Sequence, residues 1–443
     1  MFEVTLACNL ACAHCGSSAG RGRDDELSLD EARRVLRQLA ALGCGRVTLS
    51  GGEAMLRPDW LELIAAGTEA GLRVGLITNG LLLDRAAARA ARAAGLVSVG
   101  FSLDGIGTTH DDVRRRSGLF DAVGKAMEAA RSSLLPFSAI TQIHRGNLEQ
   151  LSAIRGMLID AGAFAWQLQL SMVMGELCAH PELGLVPSEL PRVVRDVAGL
   201  VRRGGLRIDV GDNIGYFGPE ERALRGGGCF GGCQAGLTVV GIESNGDVKG
   251  CLSLQPGCSA ERDRWVEGNL RHSPLAEIWQ RPGAFAYNRD FALEGLGGRC
   301  RACAHARTCR GGCLAARAAA AALGNGAIGD NPMCVHPVLA EESAGQGRGA
   351  MAAAALLAAL LGAGASGCRA VSLYDGPGPD DGGQDGGTDA DTDADTDTDT
   401  DTDADTDADT DADTDTGTGS DTEGVPLYDF VMIDDGAGGT RRA

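Results

Sequence analysis

The chain contains 443 residues and carries a formal net charge of -20. Because a single hydrophobic core seldom grows past roughly 250–300 residues, this length predicts two domains and an appendage. The charge is concentrated in residues 375–443, where 23 acidic residues stand against two arginines, and residues 1–374 carry a net charge of +1. Neither part has the basic surface that nucleic acid requires, and the acidic part would repel phosphate and anionic membranes. Nucleic acid is therefore excluded as a partner.

The fifteen cysteines form two groups and a scattered remainder. A long chain that opens on a strand-like apolar run, with no signal peptide ahead of it, favours cytoplasmic metal chemistry over extracellular disulfides. Cys44, Cys178, Cys258 and Cys368 are scattered, and we interpret them as buried or incidental thiols. The two groups are Cys8, Cys12 and Cys15 near the N-terminus, and Cys229, Cys233, Cys251, Cys300, Cys303, Cys309, Cys313 and Cys334 further along.

From residue 2 to about residue 205, short apolar runs alternate with longer stretches of helical period, which is typical of βα units. The clearest predicted helix covers Ser28–Leu42, because Ser28 and Glu31 form a capping-box pattern and Gly43 supplies a stop. The predicted strands are Phe2–Ala7, Arg46–Ser50, Leu72–Thr78, Leu96–Leu103, Pro136–His144 and Phe164–Met172.

These units predict an α/β fold in which residues 1–205 form a partial (β/α)6 barrel of the TIM type. The chemistry of such a barrel gathers at the carboxyl ends of its parallel strands. A doubly wound open sheet is the alternative. A Gly-rich bridge over residues 206–228 leads to a cysteine-rich region at 229–340, where metal would replace a hydrophobic core, and residues 341–443 form an appended tail.

The first cysteine group has the spacing Cys8-x3-Cys12-x2-Cys15 and directly follows the first predicted strand. Its thiolates should therefore lie at the mouth of the barrel. Three ligands leave one iron of a 4Fe–4S cluster open, whereas a closed structural zinc site would use four. A zinc or redox site is the alternative interpretation.

The segment CNLACAHC resembles the CX3CXΦC signature of radical S-adenosylmethionine (radical SAM) enzymes. The resemblance implies that the open iron binds the methionine moiety of S-adenosylmethionine and that one electron cleaves this cofactor to a 5′-deoxyadenosyl radical. Further motifs follow in the family's order, as GGE at residues 51–53 and SLDG at residues 102–105. The cofactor-binding residues implied by the resemblance are His14, Gly51, Gly52, Glu53, Ser102, Asp104 and Arg114.

The second cysteine group resembles the pattern of the SPASM domain, C-x(9–15)-G-x4-C followed by C-x2-C-x5-C-x3-C and a final cysteine. The resemblance implies two auxiliary 4Fe–4S clusters in residues 229–340; two structural zinc ions are the alternative. One cluster would be held by Cys233, Cys251 and Cys313, with Cys229 as the candidate fourth ligand. The other would be held by Cys300, Cys303, Cys309 and Cys334.

The combined motifs resemble the branch of radical SAM enzymes that matures peptides, together with anaerobic sulfatase-maturating enzymes. This implies an enzyme that acts on a peptide and receives electrons from a flavodoxin- or ferredoxin-type donor. Some sulfatase-maturating relatives carry an aspartate at the position occupied here by Leu252, so that particular activity is not expected. A radical SAM enzyme acting on a small molecule and a zinc-stabilised interaction protein are the alternatives.

The tail combines a leader-like apolar stretch with an acidic repeat. Residues 350–365 are too short for a comfortable membrane span and resemble a lipoprotein leader ending at Cys368, although a membrane tether through 350–366 is the alternative. The Thr-Asp and Ala-Asp repeat at 388–416 predicts disorder. A V-x-L-Y-D element occurs at 371–375 and again at 425–429. A precursor peptide fused to its own enzyme would explain this repetition, and an incidental fusion is the competing interpretation.

Overall fold

The computed structural model describes residues 1–255, 264–323 and 328–336. Their strands form one ten-stranded sheet with the order β10-β9-β8-β1-β2-β3-β4-β5-β6-β7. The strands are β1 Phe2–Thr5, β2 Arg46–Gly51, β3 Arg73–Thr78, β4 Leu96–Ser102, β5 Phe137–Ile143, β6 Ala165–Leu170, β7 Arg207–Val210, β8 Gly241–Ile242, β9 Asp247–Lys249 and β10 Gly268–Asn269.

Helices follow the barrel strands and then continue through the cysteine-rich region. Helix α1 begins after Ser28, which forms the predicted capping box with Glu31. The helices are α1 Leu29–Ala41, α2 Trp60–Glu69, α3 Arg85–Ala93, α4 Thr108–Arg114, α5 Leu119–Ser132, α6 Leu151–Ala161, α7 Leu190–Arg202, α8 Glu221–Leu224, α9 Leu275–Gln280, α10 Ala286–Arg289, α11 Gly298–Ala302, α12 Ala306–Cys309 and α13 Leu314–Leu323.

Strands β1 to β6 pair in parallel and in chain order, which confirms the predicted partial barrel. A seventh parallel strand, β7, pairs with β6 through Ala165 and Arg207. The segment predicted as a Gly-rich bridge therefore begins with a strand of the barrel. Its pattern was difficult to recognise because β7 has only four residues and includes an arginine and an aspartate.

The cysteine-rich region extends the same sheet at its opposite edge. Strand β8 pairs in parallel with β1 through Ile242 and Phe2, and β9 returns antiparallel to β8. Phe2, Ile242 and Val248 are fully buried in one continuous apolar core. A buried ion pair of 2.5 Å between Lys249 Nζ and Glu243 Oε1 adds to this junction. The N-terminal cysteines and the cysteine-rich region consequently share one framework.

Several sequence predictions fall outside the described ranges. They concern the apolar stretch at 350–365, Cys258, Cys368, the acidic repeat and both copies of V-x-L-Y-D. Within the described ranges, no helix has the length and apolar character needed to cross a membrane.

The capping box of α1 leads to a stability prediction. Ser28 Oγ accepts a hydrogen bond from the Glu31 amide, and the Ser28 amide donates to Glu31 Oε2 at 2.8 Å. Ser28→Ala removes the first bond and should cost about 1 kcal/mol, which lowers Tm by roughly 2–4 °C in a domain of 150–250 residues. Anaerobic thermal denaturation measures the shift. Ser28→Thr keeps the capping oxygen and should restore most of the loss; equal losses in the two variants would contradict this role of the hydroxyl.

Candidate active site and cysteine groups

The N-terminal cysteines lie in a turn that leaves β1 at the carboxyl edge of the sheet. The Cys8 amide donates to the Gly20 carbonyl at 2.8 Å, and the Cys15 amide donates to the Cys12 carbonyl at 3.2 Å. All three are free thiols. Burial, aided by the charges of Cys15 and Cys8 and opposed by that of Arg114, raises the pKa of Cys12 to about 11. Their charges act on one another, and a bound cation would stabilise the thiolate forms, which is the chemistry that an iron–sulfur cluster supplies.

The glycines at the end of β2 permit a close backbone approach to this turn. A Cβ atom on Gly51 would lie 2.2 Å from the Thr5 carbonyl oxygen, and one on Gly52 would lie 2.4 Å from the Ala7 carbonyl oxygen. The close approach allows the Gly52 amide to donate a hydrogen bond to the Thr5 carbonyl oxygen at 2.9 Å. Only glycine fits at these positions, and the loop is thereby fixed against the segment that leads into Cys8.

Glu53 has a positioning role in the structure. Its carboxylate accepts hydrogen bonds from the Asn79 amide at 2.7 Å, from Thr78 Oγ1 at 3.0 Å and from the Met55 amide at 3.1 Å. The side chain is buried, and burial raises its pKa against the effect of these donors. Glu53 therefore ties the end of β2 to the end of β3. A direct contact with the methionine group, as the motif implies, stays a prediction.

Asp104 lies at the centre of a buried charge network after β4. Its Oδ2 accepts from His14 Nε2 at 2.8 Å and from Arg114 Nε at 2.8 Å, while Oδ1 accepts from the Gln142 amide at 2.7 Å. Burial alone would raise the pKa of Asp104, but Arg114 and His14 hold it well below its usual value. Arg114 Nη1 in turn lies 4.0 Å from Cys12 Sγ.

The Asp104 side chain is fully buried, and its hydrogen bonds orient Arg114 and His14. A direct contact of Asp104 with the cofactor, as the motif implies, stays a prediction. Ser102, at the end of β4, is only partly buried and stays a candidate for direct contact.

Two further histidines complete the network, and no motif gave them this role. His110 Nδ1 accepts a hydrogen bond from the Asp104 amide at 3.0 Å, and His144 Nε2 lies 3.3 Å from the Asp104 carbonyl oxygen. Burial is the main cause of the fall in the pKa of His110 to about 4, so this ring is neutral at pH 7. His14 Nδ1 is buried and has no hydrogen-bond partner among the described residues.

A cavity of about 130 Å³ is lined by residues from the start of β1 and the end of β2, and both the barrel and the cysteine-rich region contribute to it. The barrel contributes His14, Ser50 and Gly51, together with side chains within β5 and β6 and two methionines that follow β6. The cysteine-rich region contributes Leu252 and Ser253, which directly follow Cys251. We refer to this space as the radical cavity. A substrate in it would lie between the N-terminal cysteines and Cys251.

Four cysteines of the second group surround one separate cavity of about 340 Å³. Two backbone amides point at their sulfurs, from Asn331 to Cys300 Sγ at 3.3 Å and from His305 to Cys303 Sγ at 3.4 Å. Such amide donors stabilise the charge of cluster thiolates. The cysteines that line this cavity are Cys300, Cys303, Cys309 and Cys334, the set that the SPASM resemblance implied.

Cys313 lies with a different set of cysteines, although its spacing continues from Cys309. Burial raises the pKa of Cys313 far above its usual value, and the charges of Cys233 and Cys251 raise it further. The Cys313 amide donates to Tyr216 Oη at 3.0 Å. Cys251 and Cys313 pack against the apolar cluster that contains Cys233. These three cysteines therefore lie in one cluster, in the crossed arrangement that the resemblance implied and that spacing did not.

Cys229 does not complete this set. It is disulfide-bonded, as is Cys178, and a disulfide sulfur is not a thiolate ligand. Cys229 therefore offers no thiolate here, and its role as fourth ligand stays a prediction. Asp212, which no motif marks, adds to the raised pKa of both Cys233 and Cys313 and so lies beside them.

Comparison with known proteins identifies the class. The radical SAM superfamily model matches residues 2–156, and the SPASM iron–sulfur cluster-binding domain model matches residues 233–304. An AdoMet-dependent heme synthase of Methanosarcina barkeri is 30% identical over 346 residues, which cover 76% of this chain and 95% of that protein. The chain belongs to the radical SAM superfamily and carries a SPASM domain. It is an enzyme whose cofactors are S-adenosylmethionine and 4Fe–4S clusters.

Other relatives carry different names. Mycofactocin maturase MftC of Mycobacterium ulcerans is 30% identical over 354 residues, covering 77% of this chain and 89% of that protein. PqqA peptide cyclase of Ruegeria pomeroyi is 30% identical over 344 residues, covering 75% and 86%. The crystal structure of Streptococcus suis SuiB bound to S-adenosylmethionine superposes with a TM-score of 0.58 at 16% identity, covering 74% and 75%. This last similarity concerns the fold alone.

The Asp104 network yields a prediction for Asp104→Asn. The change leaves Arg114 buried without its carboxylate, a loss that costs roughly 3–5 kcal/mol for a buried pair. We expect a lower Tm and loss of about four irons per chain, the content of one cluster, measured by iron analysis and anaerobic thermal denaturation. The matched control is Asp112→Asn, which changes an exposed carboxylate on α4, the helix that carries Arg114. Retained iron with weakened S-adenosylmethionine binding would show instead that Asp104 contacts the cofactor.

Proposed function

We propose that this enzyme modifies a peptide by radical chemistry and that its own C-terminal tail is a substrate. One observation carries the proposal: the radical cavity is lined both by residues around the N-terminal cysteines and by residues that directly follow Cys251. A peptide in this cavity would adjoin the site of hydrogen abstraction and an auxiliary cluster at the same time. The relative named PqqA peptide cyclase supports a peptide substrate.

The ligand roles follow from the three cysteine sets. Cys8, Cys12 and Cys15 would hold the cluster that binds S-adenosylmethionine, and the two sets in the SPASM domain would hold auxiliary clusters. When bound, the cofactor supplies a hydrogen-abstracting 5′-deoxyadenosyl radical. The chain's own groups bind and orient: the backbone at Gly51 and Gly52 offers polar contacts for the methionine group, and His14 offers Nδ1 to a ligand in the cavity.

Electron flow is the second part of the proposal. Cys251 lies one residue before Leu252, which lines the radical cavity, so its cluster is well placed to accept the electron left after hydrogen abstraction. Leu252 supplies no base, which argues against sulfatase maturation. A flavodoxin- or ferredoxin-type protein would deliver the initiating electron. The cysteines of the three sets are free thiols, which suits a reducing compartment such as the cytoplasm, whereas Cys178 and Cys229 are disulfide-bonded.

A small-molecule substrate is the second candidate. It is favoured by the heme synthase relative, of which this chain covers 95%. The two candidate functions differ in their product. A peptide maturase changes the mass of a polypeptide, whereas an enzyme that acts on a small molecule leaves polypeptide masses unchanged. Paired incubations with and without tetrapyrrole precursors separate them.

Replacing Cys12 tests the radical site. Cys12→Ala removes one of three thiolates and should abolish formation of 5′-deoxyadenosine, while about eight of about twelve irons remain in the auxiliary clusters. Chromatography of the reaction products and iron analysis measure both effects. Cys44→Ala, at a buried free cysteine outside the three sets, is the control and should behave as the parent chain. Undiminished 5′-deoxyadenosine in Cys12→Ala would place the radical site elsewhere.

Modification of the tail is tested on the full-length chain. Anaerobic incubation with S-adenosylmethionine and a reductant should change the mass of the segment 369–443, in or beside Tyr374, Asp375, Tyr428 or Asp429. Tethering places the segment at an effective concentration on the order of millimolar, so weak binding suffices. Intact-mass and fragment spectra locate the change, which Cys12→Ala should lack. An unmodified tail together with conversion of a separate added peptide would contradict a substrate in cis.

A further inference from the structure

A second, apolar cleft adjoins the radical cavity. The two spaces share Leu170 and Met172 as a common wall at the end of β6. The cleft has a volume of about 220 Å³, and its far side is formed by Ala316 and Ala319 of α13 and by Met333. It is therefore large enough for one or two bulky apolar side chains whose neighbours in a peptide would reach the radical cavity.

One polar group in this cleft lacks a partner. Ser171 is buried, its amide donates to the Ile143 carbonyl at 2.9 Å, and its hydroxyl has no hydrogen-bond partner among the described residues. An unsatisfied buried hydroxyl is costly, and a serine hydroxyl can both donate and accept. The cleft thus fits an apolar side chain whose adjacent backbone offers one hydrogen-bonding group.

The end of the described chain lies near the cleft and indicates which peptide segment would occupy it. Pro332 and Met333 line the cleft, and the described chain ends close by at His336, with 107 residues following it. The densest set of bulky apolar side chains among those residues is Val-Pro-Leu-Tyr-Asp-Phe-Val-Met-Ile at 425–433. The 88 intervening residues can span any distance within a domain of this size.

We propose that the apolar cleft is the substrate-specificity site and that its occupant is the segment 425–433 of the same chain. This inference rests on the proposed peptide-modifying function and deepens it. Leu427 or Phe430 would fill the cleft, with the buried Ser171 hydroxyl bonded to the adjacent backbone. The residues between them, Tyr428 and Asp429, would then extend past Met172 into the radical cavity.

Photocrosslinking of the full-length holoenzyme tests the occupant directly. Benzoylphenylalanine replaces Val186, a partly exposed residue at the cleft, and crosslinked peptides are mapped by mass spectrometry. We expect crosslinks to residues 425–433 within the same chain, with a yield independent of protein concentration. Crosslinks to other segments, crosslinks only between chains, or the absence of crosslinks would overturn the assignment.

Cleft variants test its effect on turnover. Ala319→Trp fills the cleft and should reduce both the crosslink and tail conversion at least tenfold, with iron content and 5′-deoxyadenosine formation retained. Ser171→Ala removes only the unpaired hydroxyl and should reduce both about fivefold, which keeps the test valid if the tryptophan variant fails to fold. Ala86→Trp, at an exposed position on α3, is the matched control. Control-like conversion in both cleft variants would overturn the role of the cleft.

The two assays separate the cleft from the proposed function. A crosslinked but chemically unmodified tail would leave the cleft assignment standing and refute modification in cis. A modified tail that crosslinks elsewhere would refute the cleft assignment and leave the proposed function standing.

Discussion

Strand β1 is hydrogen-bonded along both edges, to β2 on one side and to β8 on the other. Parallel strands end at the same edge of a sheet, so the turn that carries Cys8 leaves β1 at the edge where β2 delivers Gly51 and Gly52. Strand β9 returns antiparallel to β8, so Cys251, which follows β9, lies toward the start of β1, where its charge acts on the Met1 amino group. A single strand thus sets the distance between the radical site and the nearest auxiliary site, and no hinge between two separate domains is needed to bring them together.

Buried thiols dominate the electrostatics of the fold. Burial raises the pKa of Cys12, Cys309 and Cys313, and neighbouring cysteines raise these values further. Bound iron would lower these pKa values, because it stabilises the thiolate form. Among the described residues, the cysteine-rich region and the segment before it contain two small apolar clusters, one around Leu254 and Trp265 and another around Tyr216 and Phe230. Its folding should accordingly depend on metal far more than that of the barrel.

The barrel was predictable from sequence because β1 to β6 are short apolar runs and α1 carries a recognisable cap. Strand β7 was not predicted because it has only four residues, in which polar and apolar side chains alternate. The position of Cys313 could be inferred only from family resemblance, since linear spacing groups it with Cys309. Asp212 and the disulfide of Cys229 had no signal, because both depend on contacts between segments distant in sequence. Asp104 was recognised as a site residue, but its burial beneath Arg114 and His14 required the structure.

We propose that the three cysteine sets around one framework hold three 4Fe–4S clusters. Mössbauer spectroscopy of the anaerobically reconstituted full-length chain, combined with iron and zinc analysis, tests it most directly. We expect about twelve irons per chain, all in cubane clusters, with negligible zinc. About four irons accompanied by about two zinc ions would contradict it, because the SPASM cysteines would then form structural zinc sites.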